Sequence, residues 1–222
     1  MLPLAAARTG LLALLLLWSS QAGASEHGGA GEFDYYVLSL SWSPTYCASK
    51  SGRSDRIQCG SGRGYDFIVH GLWPQYHSGW PQYCADADGP LPELLVTGML
   101  DIMPSPKLVR HQWEKHGTCT GLSSDEYFAL TRRLYDGLRI PARYIDPGRN
   151  IEVSVNRIVA DFAGTNRGLG RDMMSVQCGN RRGRAPLAEL RICFSRDGRL
   201  TTCGANEQRQ CRAEQLVLPP VR

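Results

Sequence analysis

The sequence predicts one α+β domain, a mainly antiparallel central sheet with flanking helices, and three observations carry that expectation. Strand-like and helix-like segments are mixed along the chain with neither a βαβ rhythm nor an internal repeat. Setting aside a 24-residue leader leaves 198 of the 222 residues, which suits a single domain with a sizeable core. All eight cysteines lie in that remainder, and an even number in an exported chain points to four disulfides.

Residues 1–24 read as a signal peptide and 25–222 as the domain it exports. Arg8 gives a positive start, Leu11 to Trp18 is an apolar run too short to span a bilayer, and Ala22-Gly23-Ala24 is a small-residue cleavage site. No other long apolar run follows, so no membrane span is expected, and the export signal reads alike for the periplasm and the medium. Cleavage leaves 24 basic against 21 acidic side chains, a formal charge of +3. That is mildly basic, which favours a polyanionic partner without describing a protein that coats nucleic acid.

From Ser25 to Glu32 the chain is Gly-rich and reads as a loose terminus. Tyr35 to Trp42, where aromatic and β-branched residues dominate and Tyr36, Leu38 and Leu40 alternate against Tyr35, Val37 and Ser39, reads as a strand buried on both faces. Ser49 to Gly64 reads as a Ser/Gly/Arg loop bounded by Cys59, and Phe67 to Leu72 as a second strand with His70 on the face of Ile68. Pro90 to Met103 suggests a short helix between prolines. A further helix opens at Pro106 and runs through His116 to stop at Gly117, with proline and glycine at the ends that favour them. In Ser123 to Leu138 a possible capping box, Ser123-x-x-Glu126, precedes Tyr127, Leu130, Leu134 and Leu138 at helical spacing. Ser154 to Phe162 could form one more helix; Met173 to Cys178 and Leu187 to Phe194 read as strands, with a turn at Arg196-Asp197-Gly198.

Chemistry concentrates in His111-Gln112-Trp113-Glu114-Lys115-His116 and, upstream, in His70. Imidazole is the side chain whose ordinary pKa lets it give and take a proton near neutral pH. With about 100° per residue and His111 at zero, Lys115 falls at about 40°, Gln112 at about 100° and His116 at about 140°, so the four share one side. Trp113, at about 200°, can anchor the helix in the core, and Glu114, at about 300°, is turned away from the others. A His-Glu-x-x-His zinc motif would need imidazoles one turn apart; these are five residues apart, and no metal is expected. The absence of any Cys-x-x-Cys argues against a redox pair or a zinc ribbon. His27 and His77 read as exposed polar residues, and the basic cluster Arg181, Arg182 and Arg184 as a solvated loop.

Two imidazoles beside a cation suit metal-free phosphodiester chemistry on RNA, which carries its own nucleophile, the 2′-OH. One imidazole must be neutral and the other protonated, so the rate should be bell-shaped in pH. A binding module has no need of a paired acid and base; a metal-dependent phosphodiesterase would be abolished by EDTA. An exported peptidase lacks any Gly-x-Ser-x-Gly or zincin motif here.

His70-Gly71-Leu72-Trp73-Pro74 and His111-Gln112-Trp113-Glu114-Lys115-His116-Gly117-Thr118-Cys119 resemble the two active-site segments of the ribonuclease T2 family of secreted endoribonucleases. Tyr35 to Trp42, followed by Pro44-x-Tyr46-Cys47, resembles that family's opening strand, and the likeness runs from about Phe33 to Cys211. It implies a catalytic domain at 25–222 that cleaves single-stranded RNA through a 2′,3′-cyclic phosphate to 3′-phosphate ends. Little base specificity, no cofactor, no DNA cleavage and a monomer are implied with it. His116 would be the general base, His70 the general acid, and His111 and Lys115 the groups that hold the phosphate; Trp73 would help wall the site. Gln112 stands where the family usually has Glu, and Ser41 where it often has Gln. The family's disulfide scheme implies Cys47 with Cys59, Cys84 with Cys119, Cys178 with Cys211, and Cys193 with Cys203.

Overall fold

The computed structural model describes residues 28–85, 89–179 and 183–221. The expected signal peptide, His27, Arg181 and Arg182 lie outside the described residues. One six-stranded sheet organises the fold, in the order β2-β1-β5-β6-β3 with β4 also on β5. Its strands are β1 (Tyr35–Trp42), β2 (Phe67–Gln75), β3 (Ile151–Val153), β4 (Met174–Cys178), β5 (Arg184–Ser195) and β6 (Gln215–Leu218). All pairings are antiparallel except that of β5 with β6, so the sheet is mainly antiparallel as the sequence predicts.

Strand β1 is buried on both faces, and its two faces belong to different clusters. Tyr36, Leu38, Leu40 and Trp42 enter the main core, where β5 adds Leu190, Ile192 and Phe194. Tyr35 and Val37 form a small cluster on the other side with Cys193, joined by Trp73 and Cys203. Burial of one large apolar side chain contributes about 1.5–3 kcal/mol, so the helix-covered face dominates stability. The opposite face is left for polar groups.

Two helices fix that arrangement against β2. In α5 (Pro106–Lys115) the Ser105 hydroxyl accepts from the Leu108 N–H at 3.4 Å and Pro106 occupies the first turn. The helix ends one residue earlier than expected, because His116 leaves helical geometry at φ −120°, ψ −41° and serves as the C-cap. Trp113 anchors α5 through a ring contact with Tyr127 at 5.8 Å, and a Cβ on Gly117 would collide with the Trp113 ring. Helix α6 (Ser124–Asp136) opens with the expected reciprocal capping box of Ser123 and Glu126. Its Tyr127 hydroxyl donates to the Leu72 carbonyl at 2.8 Å, tying it to β2.

Several expectations are corrected. The expected loop from Ser49 to Gly64 holds two short helices, α2 (Lys50–Ser54) and α3 (Arg56–Cys59), after α1 (Ser43–Ala48). Ser49 caps α2, the Asp55 carboxylate accepts from two N–H groups of α3, and the Cys47–Cys59 disulfide closes the unit. Helix α4 is confined to Glu93–Thr97, and turns rather than helix lead on to Met103. Helix α7 (Val155–Thr165) runs beyond the expected Phe162, with Ser154 as its cap. Strand β2 continues past Leu72 through Pro74, which its place at the sheet edge allows. The strands β3 and β6 are too short to leave a period in the sequence.

All four disulfides form as the resemblance implies: Cys47–Cys59, Cys84–Cys119, Cys178–Cys211 and Cys193–Cys203. Cys84–Cys119 joins the segment after β2 to the turn after α5, where the Tyr83 N–H also donates to the Lys115 carbonyl at 2.9 Å. Among the described residues no helix is long and apolar enough to cross a membrane.

Candidate active site

A register shift in β2 builds the site. Ser39 pairs with Gly71 and Leu40 with Val69, which leaves His70 as the extra, unpaired residue of a β-bulge. The bulge resets the alternation: Phe67, Val69 and Leu72 all face the main core, while Trp73 turns to the opposite face. Without it Trp73 would share the core side with Val69. With it, the rings of His70 and Trp73 meet edge to face, 5.1 Å between centroids.

All six residues singled out in the sequence line one cavity of ≈ 280 Å³: His70, Trp73, His111, Gln112, Lys115 and His116. Gln75, Trp80, Arg191, Asn206 and Glu207 complete its wall. His77 and Glu114 stay exposed and outside it, as expected. Arg184, the described member of the basic cluster, pairs with Glu152, and neither lines the cavity.

Strands and helix give the two central imidazoles opposite surroundings. His116, 7% exposed, is packed against the Trp73 ring with centroids 5.5 Å apart, and its buried Nδ1 has no hydrogen-bond partner among the described residues. Burial, reinforced by the charges of Lys115, His70 and His111, pushes its pKa down to about 3. His70 instead bonds through Nδ1 to Glu189 Oε1 at 2.6 Å. Burial alone would raise the Glu189 carboxyl, but the bond from His70 and the charges of His70 and Arg191 hold it at about 2. At the rim of the cavity His111 also lies below its ordinary value, first through desolvation and then through the charge of Lys115.

Gln112 is buried, 1% exposed, and its Oε1 accepts from the Trp73 indole N–H at 2.7 Å. A Cβ on Gly71 would collide with that oxygen, so the glycine of the strand motif is what lets the helix amide approach β2. Only the amide N–H₂ of Gln112 is left to face a ligand.

Sequence reading missed Glu189, Arg191 and Glu207. Arg191 donates to Glu189 from Nε at 2.9 Å and from Nη2 at 2.8 Å, reaches Glu207 Oε1 with Nη1 at 3.2 Å, and sits 4.9 Å over the Trp73 ring. The signal was present: Glu189 and Arg191 alternate with Leu190 and Ile192 in a strand otherwise built for burial. Two charges in one face of a central strand call for a buried partner. Among the described residues no group of three or more His, Cys, Asp or Glu could hold a metal ion.

Such a cavity can take a proton at His116, give one from His70, and balance an anion with Lys115 and His111. Comparison with known proteins shows which family the chain is similar to. A family model described as the ribonuclease T2 family matches residues 33–203. A ribonuclease of Aeromonas hydrophila is 36% identical over 224 residues, spanning 96% of this chain and 97% of its own. Ribonuclease 1 of Arabidopsis thaliana is 27% identical, over 92% of this chain and 94% of its own. Among solved structures, an RNase-related protein from Calystegia sepium superposes with a TM-score of 0.67 at 24% identity, covering 88% of this chain and all of its own. RNase NT in complex with 5′-AMP gives 0.54 at 21% identity, covering 78% and 96%.

Proposed function

The chain belongs to the ribonuclease T2 family of endoribonucleases, and we propose from its site that it cleaves single-stranded RNA without a metal, by transphosphorylation. The observation that carries this reading is the pair of imidazoles on either side of Trp73, one buried among cations and one bonded to a carboxylate. His116, kept neutral by burial and Lys115, takes the 2′-OH proton as O2′ attacks phosphorus. The P–O5′ bond breaks, and protonated His70 gives its Nε2 proton to O5′ as it leaves. Lys115, His111 and the Gln112 N–H₂ offset charge on the phosphoryl oxygens.

The product is a 2′,3′-cyclic phosphate, slowly hydrolysed to a 3′-phosphate when His70 takes a proton from water and His116 returns its own to O2′. DNA lacks the nucleophile and is not cleaved. The base is held loosely, so specificity is low; the 5′-AMP bound by the similarly folded RNase NT supports a nucleotide-sized cavity. The protein acts as a monomer, with residues 25–222 as its catalytic domain, exported by residues 1–24 to the periplasm or beyond. Four disulfides suit that oxidising setting.

The test is cleavage of a labelled single-stranded RNA in excess EDTA, with His116→Ala alongside and the product ends identified. Cyclic-phosphate ends that vanish in the variant are expected. RNA binding without cleavage from pH 4 to 8 would overturn the reading in favour of a binding module.

A further inference from the structure

We propose that Glu189 is a positioning residue for His70: it holds the imidazole by Nδ1, so that Nε2 is the atom presented to the leaving oxygen, and Arg191 and Glu207 hold Glu189 in turn. The proposal rests on the reading of His70 as the general acid.

His70 is the bulged residue of β2, so the regular ladder does not fix it, and its side chain is 37% exposed. The one hydrogen bond its ring makes among the described residues is to Glu189. That carboxylate comes from β5, two strands away, and must cross β1, with strands spaced about 4.8 Å apart. Crossing is possible because the β1 residues opposite Glu189 and Arg191 are Ser41 and Ser39. A long side chain at Ser41 would fill the path. Two departures from the family pattern thus fit together. The helix offers Gln112 in place of a carboxylate, and the sheet, cleared by Ser41, brings one to the other imidazole.

Glu189 is itself over-determined. Its second oxygen takes both Nε and Nη2 of Arg191, and Arg191 is fixed by Glu207, whose side chain is 2% exposed, and by the face of Trp73. The charged and titratable groups around His70 are therefore Glu189 and Arg191 from β5, Glu207 beyond them, and His111, Lys115 and His116 from α5 and its cap. The anion falls on the Nδ1 side, and Glu189 is not among the residues that line the cavity. In Glu189→Gln the amide oxygen must go to Arg191, which has only donors, so the amide N–H₂ faces Nδ1. Nδ1 must then accept, which opposes the imidazolium that general-acid catalysis requires.

The experiment compares wild type, Glu189→Gln, Glu189→Asp and His70→Ala on a dinucleotide and on a nucleoside 3′-(p-nitrophenyl phosphate), whose leaving group departs without a proton. Glu189→Gln should lose about 10- to 100-fold in kcat on the dinucleotide, with KM little changed. It should keep the wild-type rate on the activated substrate, and Glu189→Asp should recover part of the loss. His70→Ala should show the same selectivity more strongly. Equal losses for His70→Ala on both substrates would overturn the general-acid reading itself. A selective His70→Ala beside a Glu189→Gln that matches wild type on the dinucleotide would overturn the Glu189 proposal alone. Should Glu189→Gln not fold, ¹⁵N resonances of the wild type decide. Neutral His70 carrying its proton on Nδ1 supports the proposal, and on Nε2 overturns it.

Discussion

Acidification from pH 7 to pH 4 should cost the folded state about 3 kcal/mol through His116 alone. The magnitude follows from its buried, cation-flanked position. An unfolded His116 takes up a proton near 6.5, whereas the folded group holds out to about 3. Within that window the unfolded chain binds a proton that the folded one refuses, so stability falls by about 1.4 kcal/mol per pH unit. From 6.5 down to pH 4 this amounts to about 3 kcal/mol, and the loss is complete only below about 3. Glu189, held at about 2 against an ordinary 4.5, pulls in the same direction but begins to do so only below 4.5. Urea unfolding at pH 7, 6, 5 and 4 of wild type and His116→Phe isolates the histidine, because every carboxylate contribution is common to both. The variant should lose about 3 kcal/mol less than wild type over that range. Parallel stability curves would refute the argument that burial and Lys115 keep this imidazole neutral. The acid limb of kcat/KM offers a second reading of the same group and should lie near pH 3 in the free enzyme.

Gln112→Glu should keep activity and move that acid limb to higher pH, since a carboxylate beside His116 favours its protonated form; an unchanged pH profile would make the side chain a spectator. Trp73→Phe keeps an aromatic face for Arg191 but strips Gln112 Oε1, buried at 1% exposure, of its donor. Urea unfolding should show a loss of about 1–3 kcal/mol, and a loss under about 0.5 kcal/mol would mean that the amide finds another partner. Replacing both Cys84 and Cys119 by Ser opens a loop with a sequence separation of 35, worth about 4 kcal/mol in chain entropy. Replacing Cys178 and Cys211, separated by 33, should cost nearly the same stability but less kcat, because that bridge does not touch α5. Equal kcat losses from the two pairs would show that the first does not hold the catalytic segment in register.

What the sequence revealed was local. Pro106, Gly117 and the spacing from His111 to His116 fixed a helix with its reactive side and its Trp113 anchor, and the structure ends that helix within one residue of the expected end. The capping box of Ser123 and the doubly buried strand from Tyr35 to Trp42 were legible for the same reason. What stayed hidden depends on pairing between distant segments. The bulge at His70 exists only in the register of β1 against β2, and it alone decides which way Trp73 faces. Glu189 meets His70 across 119 residues of chain, a distance over which no periodicity speaks. Helices α2 and α3 were read as loop because five- and four-residue helices held by Ser49, Asp55 and a disulfide have too few turns to show an apolar stripe.

The two imidazoles are chemically the same group, so their roles in the proposed reaction must be assigned by surroundings rather than by residue type. The helix end supplies cations and burial to His116, which makes protonation costly and suits that ring to the part of neutral base in the proposed reaction. Across the Trp73 ring the sheet supplies His70 with a carboxylate at Nδ1, braced by Arg191 and Glu207. Exchanging the surroundings would exchange the roles. Trp73 keeps them apart: its ring contacts both imidazoles, its face receives Arg191, and its N–H holds Gln112. A sheet and a helix that both pack against this residue can therefore impose opposite fields on two rings within one cavity. The asymmetry that acid–base catalysis needs is thus built from where β2 bulges and where α5 stops.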